Sequence, residues 1–82
     1  MSYYLYILEC EDKTLYTGIT TDVKRRFKEH KEGRDGHYTN SRQVVRVLYT
    51  EKFRTRSNAL KREFEIKSWD RAKKLSLISE KI

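Results

Sequence analysis

The sequence predicts a small α+β domain in which a three-stranded antiparallel sheet is flanked by helices, in the order ββαβαα. Two segments with strand character come first and are separated by three polar residues, a spacing that is typical of a β-hairpin. The second half carries apolar residues at helical spacing behind helix-capping residues. Because the chain has 82 residues, we expect a single domain over residues 1–82.

The three predicted strands are rich in aromatic and aliphatic side chains. The first, Tyr3–Cys10, carries apolar side chains on both faces, which indicates an inner strand that is covered on two sides. The polar residues 11–13 predict a turn into a second strand at residues 14–19. Residues 44–49 predict the third strand.

Three helices are predicted from capping residues and apolar periodicity. Asp22 is the expected N-cap of a helix over residues 23–31. Its inward-facing residues are expected to be Val23, Phe27 and either His30 or Lys31. Thr55 or Ser57 caps a second helix, which runs to Trp69. The expected buried side of this helix consists of Ala59, Leu60, Phe64, Ile66 and Trp69.

Asp70 is the expected cap of a last helix that runs through Leu75, Ile78 and Ile82. Between the first helix and the third strand, residues 32–43 hold two of the three glycines and predict one long loop. Loops of that length inside a small domain are often functional.

The charge balance indicates a polyanionic partner. A net charge of +7 and an isoelectric point near 9.7 suit nucleic acid or anionic lipid, although a basic protein without such a partner has the same composition. Cys10 is the only cysteine and cannot form an intramolecular disulfide, which fits a reducing cytoplasm. No apolar run suits a signal peptide or a transmembrane helix of about 20 residues, so we expect a cytoplasmic protein without membrane association.

Two tyrosines and a glycine stand on the predicted hairpin. Tyr6 and Tyr16 lie on paired strands, where cross-strand neighbours come within about 5 Å of each other. Tyrosines on strands usually pack their rings and leave their hydroxyls in water, so neither residue alone indicates a site. Gly18 marks either a close approach of the backbone to a ligand or another chain, or a simple β-bulge.

Arg26 and His30 are spaced i, i+4 on the first predicted helix and are therefore stacked neighbours. Arg26 follows Val23 by three residues, which places it at the margin of the apolar side. A guanidinium there needs a fixed anion, and phosphate suits its planar fork. A salt bridge to Glu29 or Glu63 would serve equally well, and His30 alone could be an ordinary histidine on a helix flank.

Glu63 is the most informative residue in the second half of the chain. It stands four residues after Ala59, on the predicted buried side, whereas Glu65 points outward. A carboxylate on an inner face is costly unless it is paired or bound to a metal. Mg²⁺ typically takes one or two carboxylates and completes its shell with water and substrate phosphate. An ion pair with Arg26 or Lys67 is the alternative.

Together these residues supply the parts that phosphodiester hydrolysis requires. A metal ion and an arginine stabilise negative charge on the phosphate and on the leaving oxygen, and a base activates water.

Four segments, in order, resemble the motifs of the GIY-YIG nuclease domain. They are "YLYIL" at residues 4–8, "YTG" at 16–18, "DVKRRFKEH" at 22–30 and "ALKREFEIKSW" at 59–69. The chain is most similar to small stand-alone bacterial members, which are related to the catalytic subunit of branched-DNA endonucleases. The fold of the family, a three-stranded antiparallel sheet flanked by helices, agrees with the elements predicted above.

The resemblance implies a role for each of five residues. Tyr6 would be the first motif tyrosine, and Tyr16 the second, acting as general base or activator of water. Arg26 would steady the scissile phosphate. His30 would assist proton transfer or contact the leaving group, and Glu63 would bind a single divalent cation, Mg²⁺ or Mn²⁺.

The chain departs from the family pattern at four places. Tyr4 replaces the glycine of Gly-Ile-Tyr, and Thr17 replaces the isoleucine of Tyr-Ile-Gly. Many members carry an asparagine near the end of the domain, but the last asparagine here, Asn58, precedes Glu63. Gln43 stands where close relatives have a proline.

The sequence and the resemblance together predict a metal-dependent endonuclease that hydrolyses DNA phosphodiester bonds at branched, nicked or single-stranded structures. The alternative is a non-catalytic nucleic-acid-binding module that works with a partner protein, and a third reading is a protein-interaction domain. A chain this small could also form a homodimer to gain contact area. The residues expected to contact nucleic acid through charge or base stacking are Lys24, Arg25, Lys28, Arg34, Tyr38 and Arg42.

Overall fold

The computed structural model describes residues 1–32 and 43–80. Its elements are β1 (Tyr3–Cys10), β2 (Leu15–Thr20), α1 (Val23–Glu32), β3 (Val44–Phe53), α2 (Arg56–Lys67) and α3 (Arg71–Glu80). The predicted order and the α+β class with a three-stranded antiparallel sheet are confirmed. No helix in these two described ranges is long and apolar enough to cross a membrane.

β1 is the central strand of the sheet, whose strand order is β2-β1-β3. It pairs antiparallel with both neighbours, with Tyr6 opposite Gly18 on β2 and Ile7 opposite Tyr49 on β3. Because helices cover both faces of the sheet, apolar side chains on both sides of β1 are buried. The prediction of an inner strand is therefore confirmed.

The helices α1 and α2 cover opposite faces of the sheet, which gives the molecule two apolar cores. The core beneath α1 consists of Tyr6, Leu8, Cys10 and Val44, with Tyr16, Val23, Phe27 and Val47 packed against it. The core on the other face consists of Leu5, Ile7, Tyr49 and Ile66, with Leu15, Ile19, Leu48, Phe53, Trp69, Leu77 and Ile78 packed against it. The two motif tyrosines thus lie on the α1 side of the sheet.

Polar side chains cap the helices as predicted. Asp22 accepts a hydrogen bond from the backbone N–H of Arg25 at 3.0 Å, and Asp70 accepts one from the third residue of α3 at 2.9 Å. Of the two candidates for α2, Thr55 is the cap, because its hydroxyl accepts from the backbone N–H of Asn58 at 3.2 Å. Each cap satisfies one of the backbone donors that a helix leaves open at its start.

The predicted burial of Phe64 is wrong, since 79% of this residue is exposed. Ala59 and Ile66 are fully buried and define the side of α2 that faces the sheet, with Glu63 between them. Successive helical residues are rotated by about 100°, so Phe64 points away from that side. Leu60 is only partly buried for the same reason.

Two element ends differ from the prediction as well. α2 ends at Lys67, because the hydroxyl of Ser68 donates to the carbonyl of Glu65 at 2.6 Å and closes the last turn. β3 continues to Phe53, beyond the predicted end, because residues 50–53 remain paired with β1. Ile82 lies outside the described residues, as does most of the predicted loop.

Candidate active site

Gly18 admits the side chain of Tyr6 across the β1–β2 pair. A Cβ atom on Gly18 would lie 2.5 Å from the Tyr6 hydroxyl oxygen and 2.7 Å from the ring carbon that carries it. A Cβ atom does not come within 3.0 Å of an atom to which it is not bonded, so only glycine fits beneath the ring. The close approach predicted at Gly18 is therefore made by a side chain of the same molecule. The register shifts of the sheet fall between β1 and β3, not at Gly18.

Lying across Gly18, Tyr6 reaches the last turn of α1. Its hydroxyl oxygen is 2.9 Å from Nε2 of His30, and each of these residues is only 2% exposed. Depending on the histidine tautomer, the tyrosine donates to Nε2 or accepts from it. His30 was the open choice with Lys31 for the inner side of α1, and His30 is the buried one.

Tyr16 completes a cluster of three rings. Its ring centroid lies 4.9 Å from that of His30 and 6.3 Å from that of Tyr6, and it meets the imidazole edge to face. Edge-to-face contacts at such distances are favourable because the positive rim of one ring faces the negative face of the other. Tyr16 is the only partly exposed member of the cluster, so it connects the buried pair to the surface.

Arg26 lies one helical turn before His30, at the margin of α1. Its Nη1 donates to Oε1 of Glu29 at 3.0 Å, and its side chain is 30% exposed. Of the two carboxylates that could have paired with Arg26, Glu29 is the one that does. The guanidinium is thus held in a fixed direction while part of it stays accessible.

Arg26 lines an open pocket of about 360 Å³ between the end of β2 and the helices α1 and α2. We call it the arginine-lined pocket. The pocket is lined by Tyr3, Ile19, Thr20, Thr21, Arg25, Arg26, Glu29 and Arg56. Three guanidinium groups face one carboxylate there, which leaves an excess of positive charge. Such a concavity suits an anion of phosphate size and charge.

Glu63 is a residue of α2, the helix that covers the face of the sheet opposite α1. Its carboxylate lies 3.0 Å from Nζ of Lys67, and its side chain is 18% exposed. Of the two cations that could have paired with Glu63, the structure selects Lys67. The structure therefore brings Tyr6, Tyr16 and His30 together. Arg26 lies one helical turn from His30, and Glu63 lies on α2.

The predicted nucleic-acid-binding residues divide into two groups. Lys24, Arg25 and Lys28 are exposed along α1, and Arg25 lies 4.0 Å from Glu29. Arg34, Tyr38 and Arg42 fall outside the described residues.

Residues 2–76 match the family model of the GIY-YIG catalytic domain. The chain belongs to the GIY-YIG family. A UPF0213 protein of Staphylococcus saprophyticus is 49% identical over 78 residues, which are 95% of each chain, and one of Haloquadratum walsbyi is 53% identical over 95% of this chain and 88% of its own. The solution NMR structure of a UPF0213 protein from Bacillus halodurans is 44% identical, has a TM-score of 0.65, and is matched over 99% of this chain and 86% of its own.

GIY-YIG domains are nuclease domains and typically depend on a divalent metal, so the donors present here can be tested against one. Within residues 1–32 and 43–80, no group of three or more His, Cys, Asp or Glu residues could hold a metal ion. A single carboxylate such as Glu63 fits Mg²⁺ or Mn²⁺ that keeps most of its water and is completed by a phosphate. It does not fit a cation caged entirely by protein.

Arg56 is a charged lining residue of the arginine-lined pocket that the sequence did not indicate as part of a site. It is the first residue of α2, and Arg54 two residues before it is exposed as well. Only the packing of α1 and α2 at the same end of β2 brings it beside Arg25 and Arg26. No local pattern in the sequence carries that information.

Proposed function

We propose that this chain is a metal-dependent endonuclease that hydrolyses DNA phosphodiester bonds at branched, nicked or single-stranded structures. The observation that supports this most is that α1 contributes side chains to two neighbouring features, through His30 to the first and through Arg25, Arg26 and Glu29 to the second. The first is the cluster of Tyr6, Tyr16 and His30, and the second is the arginine-lined pocket.

Arg26 would bind the scissile phosphate. Its guanidinium is already oriented by Glu29, so little side-chain freedom is lost when an anion binds. It would stabilise the charge that builds up on the phosphate oxygens during attack by water.

Tyr16 would take up the proton of the attacking water and release its own hydroxyl proton to solvent, since it is the accessible ring of the cluster. Tyr6 and His30 are both buried, so we assign them the task of holding Tyr16 in place and adjusting its hydrogen bonding. In this arrangement Tyr16 and Arg26 touch the substrate. Tyr6 and His30 position Tyr16, and Glu29 positions Arg26.

Glu63 would hold the divalent cation, which would supply charge stabilisation at the leaving oxygen when bound. For that to happen, its carboxylate must exchange Lys67 for the cation. The pair lies near the surface, with 53% of the lysine side chain exposed, and such pairs contribute little to stability. The exchange therefore carries a small cost.

The test is a cleavage assay on plasmid, single-stranded, flap and junction DNAs with Mg²⁺ or Mn²⁺, with a chelator control. Glu63→Gln should lower the cleavage rate by about a hundredfold or more, because a metal contributes several kcal/mol to the transition state. Glu65→Gln is the matched control: Glu65 is also ion-paired, two residues along the same helix, but points outward. Its rate should stay within about twofold of the wild type.

A second candidate function is a GIY-YIG module that binds nucleic acid without cutting it. The observation that favours it is that both Arg26 and Glu63 already have ion-pair partners within the chain. In that case none of the DNAs would be cut, and salt-sensitive binding would remain in Glu63→Gln.

A further inference from the structure

Phe64 is an aromatic side chain exposed on α2 with no role in either core. It is 79% exposed, and together with Arg56, Ser57, Leu60 and Lys61 it lines a shallow cavity of about 490 Å³. This surface, which we call the Phe64 surface, lies on the side of α2 that faces away from the sheet. A single exposed apolar residue is ordinary, so its meaning depends on what surrounds it.

Two cations, Arg56 and Lys61, border the Phe64 surface. Neither takes part in a salt bridge within the parts of the chain that the structure describes. Elsewhere on the same helix the charges are compensated, since Arg62 pairs with Glu65 and Lys67 with Glu63. The aromatic ring is therefore flanked by uncompensated positive charge.

The Phe64 surface is continuous with the arginine-lined pocket because Arg56 lines both. Along an α-helix the eight residue steps from Arg56 to Phe64 span about 12 Å. A stacked strand advances about 3.4 Å per nucleotide, so a strand with a phosphate in the pocket would bring a base a few nucleotides away to Phe64.

We propose that the Phe64 surface is a stacking platform for an unpaired base of single-stranded nucleic acid, whose backbone continues into the arginine-lined pocket. Sequence-independent single-strand binding combines a positive track for the backbone with an aromatic ring for the bases, and both are present here. The inference rests on the proposed function, since the strand is the substrate of that site. The inference adds that the part of the strand that contacts α2 is unpaired.

Other occupants fit this surface less well. The bases of a duplex are already stacked on one another and do not offer a free ring face to Phe64. A second copy of the chain, joined through a two-fold contact, would bring the same residues of both copies together. Arg56 and Lys61 would then face their own counterparts in a protein of net charge +7.

The experiment compares Phe64→Leu and Phe64→Trp with the wild type in binding to a labelled oligothymidine and to a duplex of equal length. Leucine keeps apolar area but lacks the ring, so affinity for the single strand should fall about tenfold. Tryptophan should keep the wild-type affinity, and duplex binding should be unchanged in both variants. Leu75→Ala, at a partly exposed leucine of α3, is the matched control and should change neither.

Three results would overturn the inference. Equal single-strand affinity in Phe64→Leu and the wild type would show that the ring is not a platform, even if cleavage and duplex binding are intact. A concentration-dependent dimer in the wild type that Phe64→Leu abolishes would assign the surface to a second copy. If the wild type binds neither DNA, the proposed function fails together with this inference.

Discussion

The ring cluster depends on a single atom that Gly18 lacks. Any other residue there would place a Cβ within 2.5 Å of the Tyr6 hydroxyl and would turn the ring away from His30. The glycine of the Tyr-Thr-Gly motif is therefore best understood as space for the other motif tyrosine. A sequence motif that looks like two separate strand patterns is one packing arrangement across the β1–β2 pair.

Gly18→Ala should destabilise the fold by about 1–3 kcal/mol, the usual cost of overpacking a core, and should break the Tyr6–His30 hydrogen bond. Urea unfolding measures the first effect. A double-mutant cycle with Tyr6→Leu identifies the cause, because in that background the added methyl group has no ring to meet and should cost far less. A full-sized cost in the Tyr6→Leu background would exclude the clash.

Thr17, beside Gly18, is one of the residues at which the chain departs from the family motif. It is 3% exposed, and its Oγ1 has no hydrogen-bond partner among the described residues. An unsatisfied buried hydroxyl costs about 1–3 kcal/mol relative to its hydrated state in the unfolded chain. Isoleucine, the residue of the family motif, would avoid that cost.

Thr17→Val should raise the free energy of unfolding by about 1 kcal/mol, because it removes the unsatisfied hydroxyl and keeps the branched shape. Thr20→Val, on the same strand, should act in the opposite direction. The Thr20 hydroxyl accepts from the backbone N–H of Asp22 at 3.2 Å, and the variant loses that bond. A loss of stability in Thr17→Val would mean that its hydroxyl has a partner in solution.

At the scale of elements, one arginine of α2 is hydrogen-bonded to β3, in addition to the apolar contacts between the two. Arg62 donates to both carboxylate oxygens of Glu51, each at 3.0 Å, and lies 5.3 Å from the ring centre of Trp69. The hydrogen bond to Glu51 is the main reason that the pKa of Arg62 is raised. Glu51 also accepts a hydrogen bond from the hydroxyl of Tyr49.

The element order could be predicted because strands, caps and apolar spacing are local properties of the chain. Asp22, Thr55 and Asp70 act within one turn of their own position, so the sequence alone locates the starts of α1 and α3 and narrows the start of α2 to two candidate caps. Phe64 was misplaced because an apolar residue in a helix does not reveal which side meets the sheet. The partners of Arg26 and Glu63 stayed open because several charges lie within reach of each.

The Tyr49–Glu51 contact predicts a specific loss of stability at alkaline pH. Burial, together with the hydrogen bond and the negative charge of Glu51, raises the pKa of Tyr49 from 10.0 to about 12. The folded pKa lies above the unfolded value, so this contribution to stability is complete below pH 10.0 and is lost as the pH rises through about 12.

The measurement is the free energy of unfolding in urea at a series of pH values, for the wild type and for Tyr49→Phe. The wild type should lose stability relative to the variant across that window, because only the wild type has a phenol to ionise at this position. A difference between the two proteins that is constant with pH would contradict the raised pKa.

At the scale of the molecule, the sheet separates the proposed catalytic groups onto two faces. At one end of the edge strand β2, however, residues of α1 and α2 come together. Tyr6, Tyr16 and His30 meet between α1 and the sheet, while Glu63 belongs to α2 on the opposite face. At the end of β2, α1 and the start of α2 line the same pocket. A strand of nucleic acid bound at this end would meet residues from both helices, which neither face alone provides.

This arrangement predicts that Arg56 contributes more to DNA binding than an exposed arginine outside the pocket does. Arg56→Gln and Arg54→Gln change the charge of the molecule equally, and both arginines are exposed, but only Arg56 lines the pocket. Arg56→Gln should weaken binding to DNA and lower the slope of log affinity against log salt by about 1, because one phosphate contact is lost. Arg54→Gln should leave the slope near the wild-type value.

Fluorescence anisotropy over a series of salt concentrations measures the slopes of both variants. Equal slopes in the two variants would mean that binding follows the overall charge of the protein, and the pocket would then hold no phosphate.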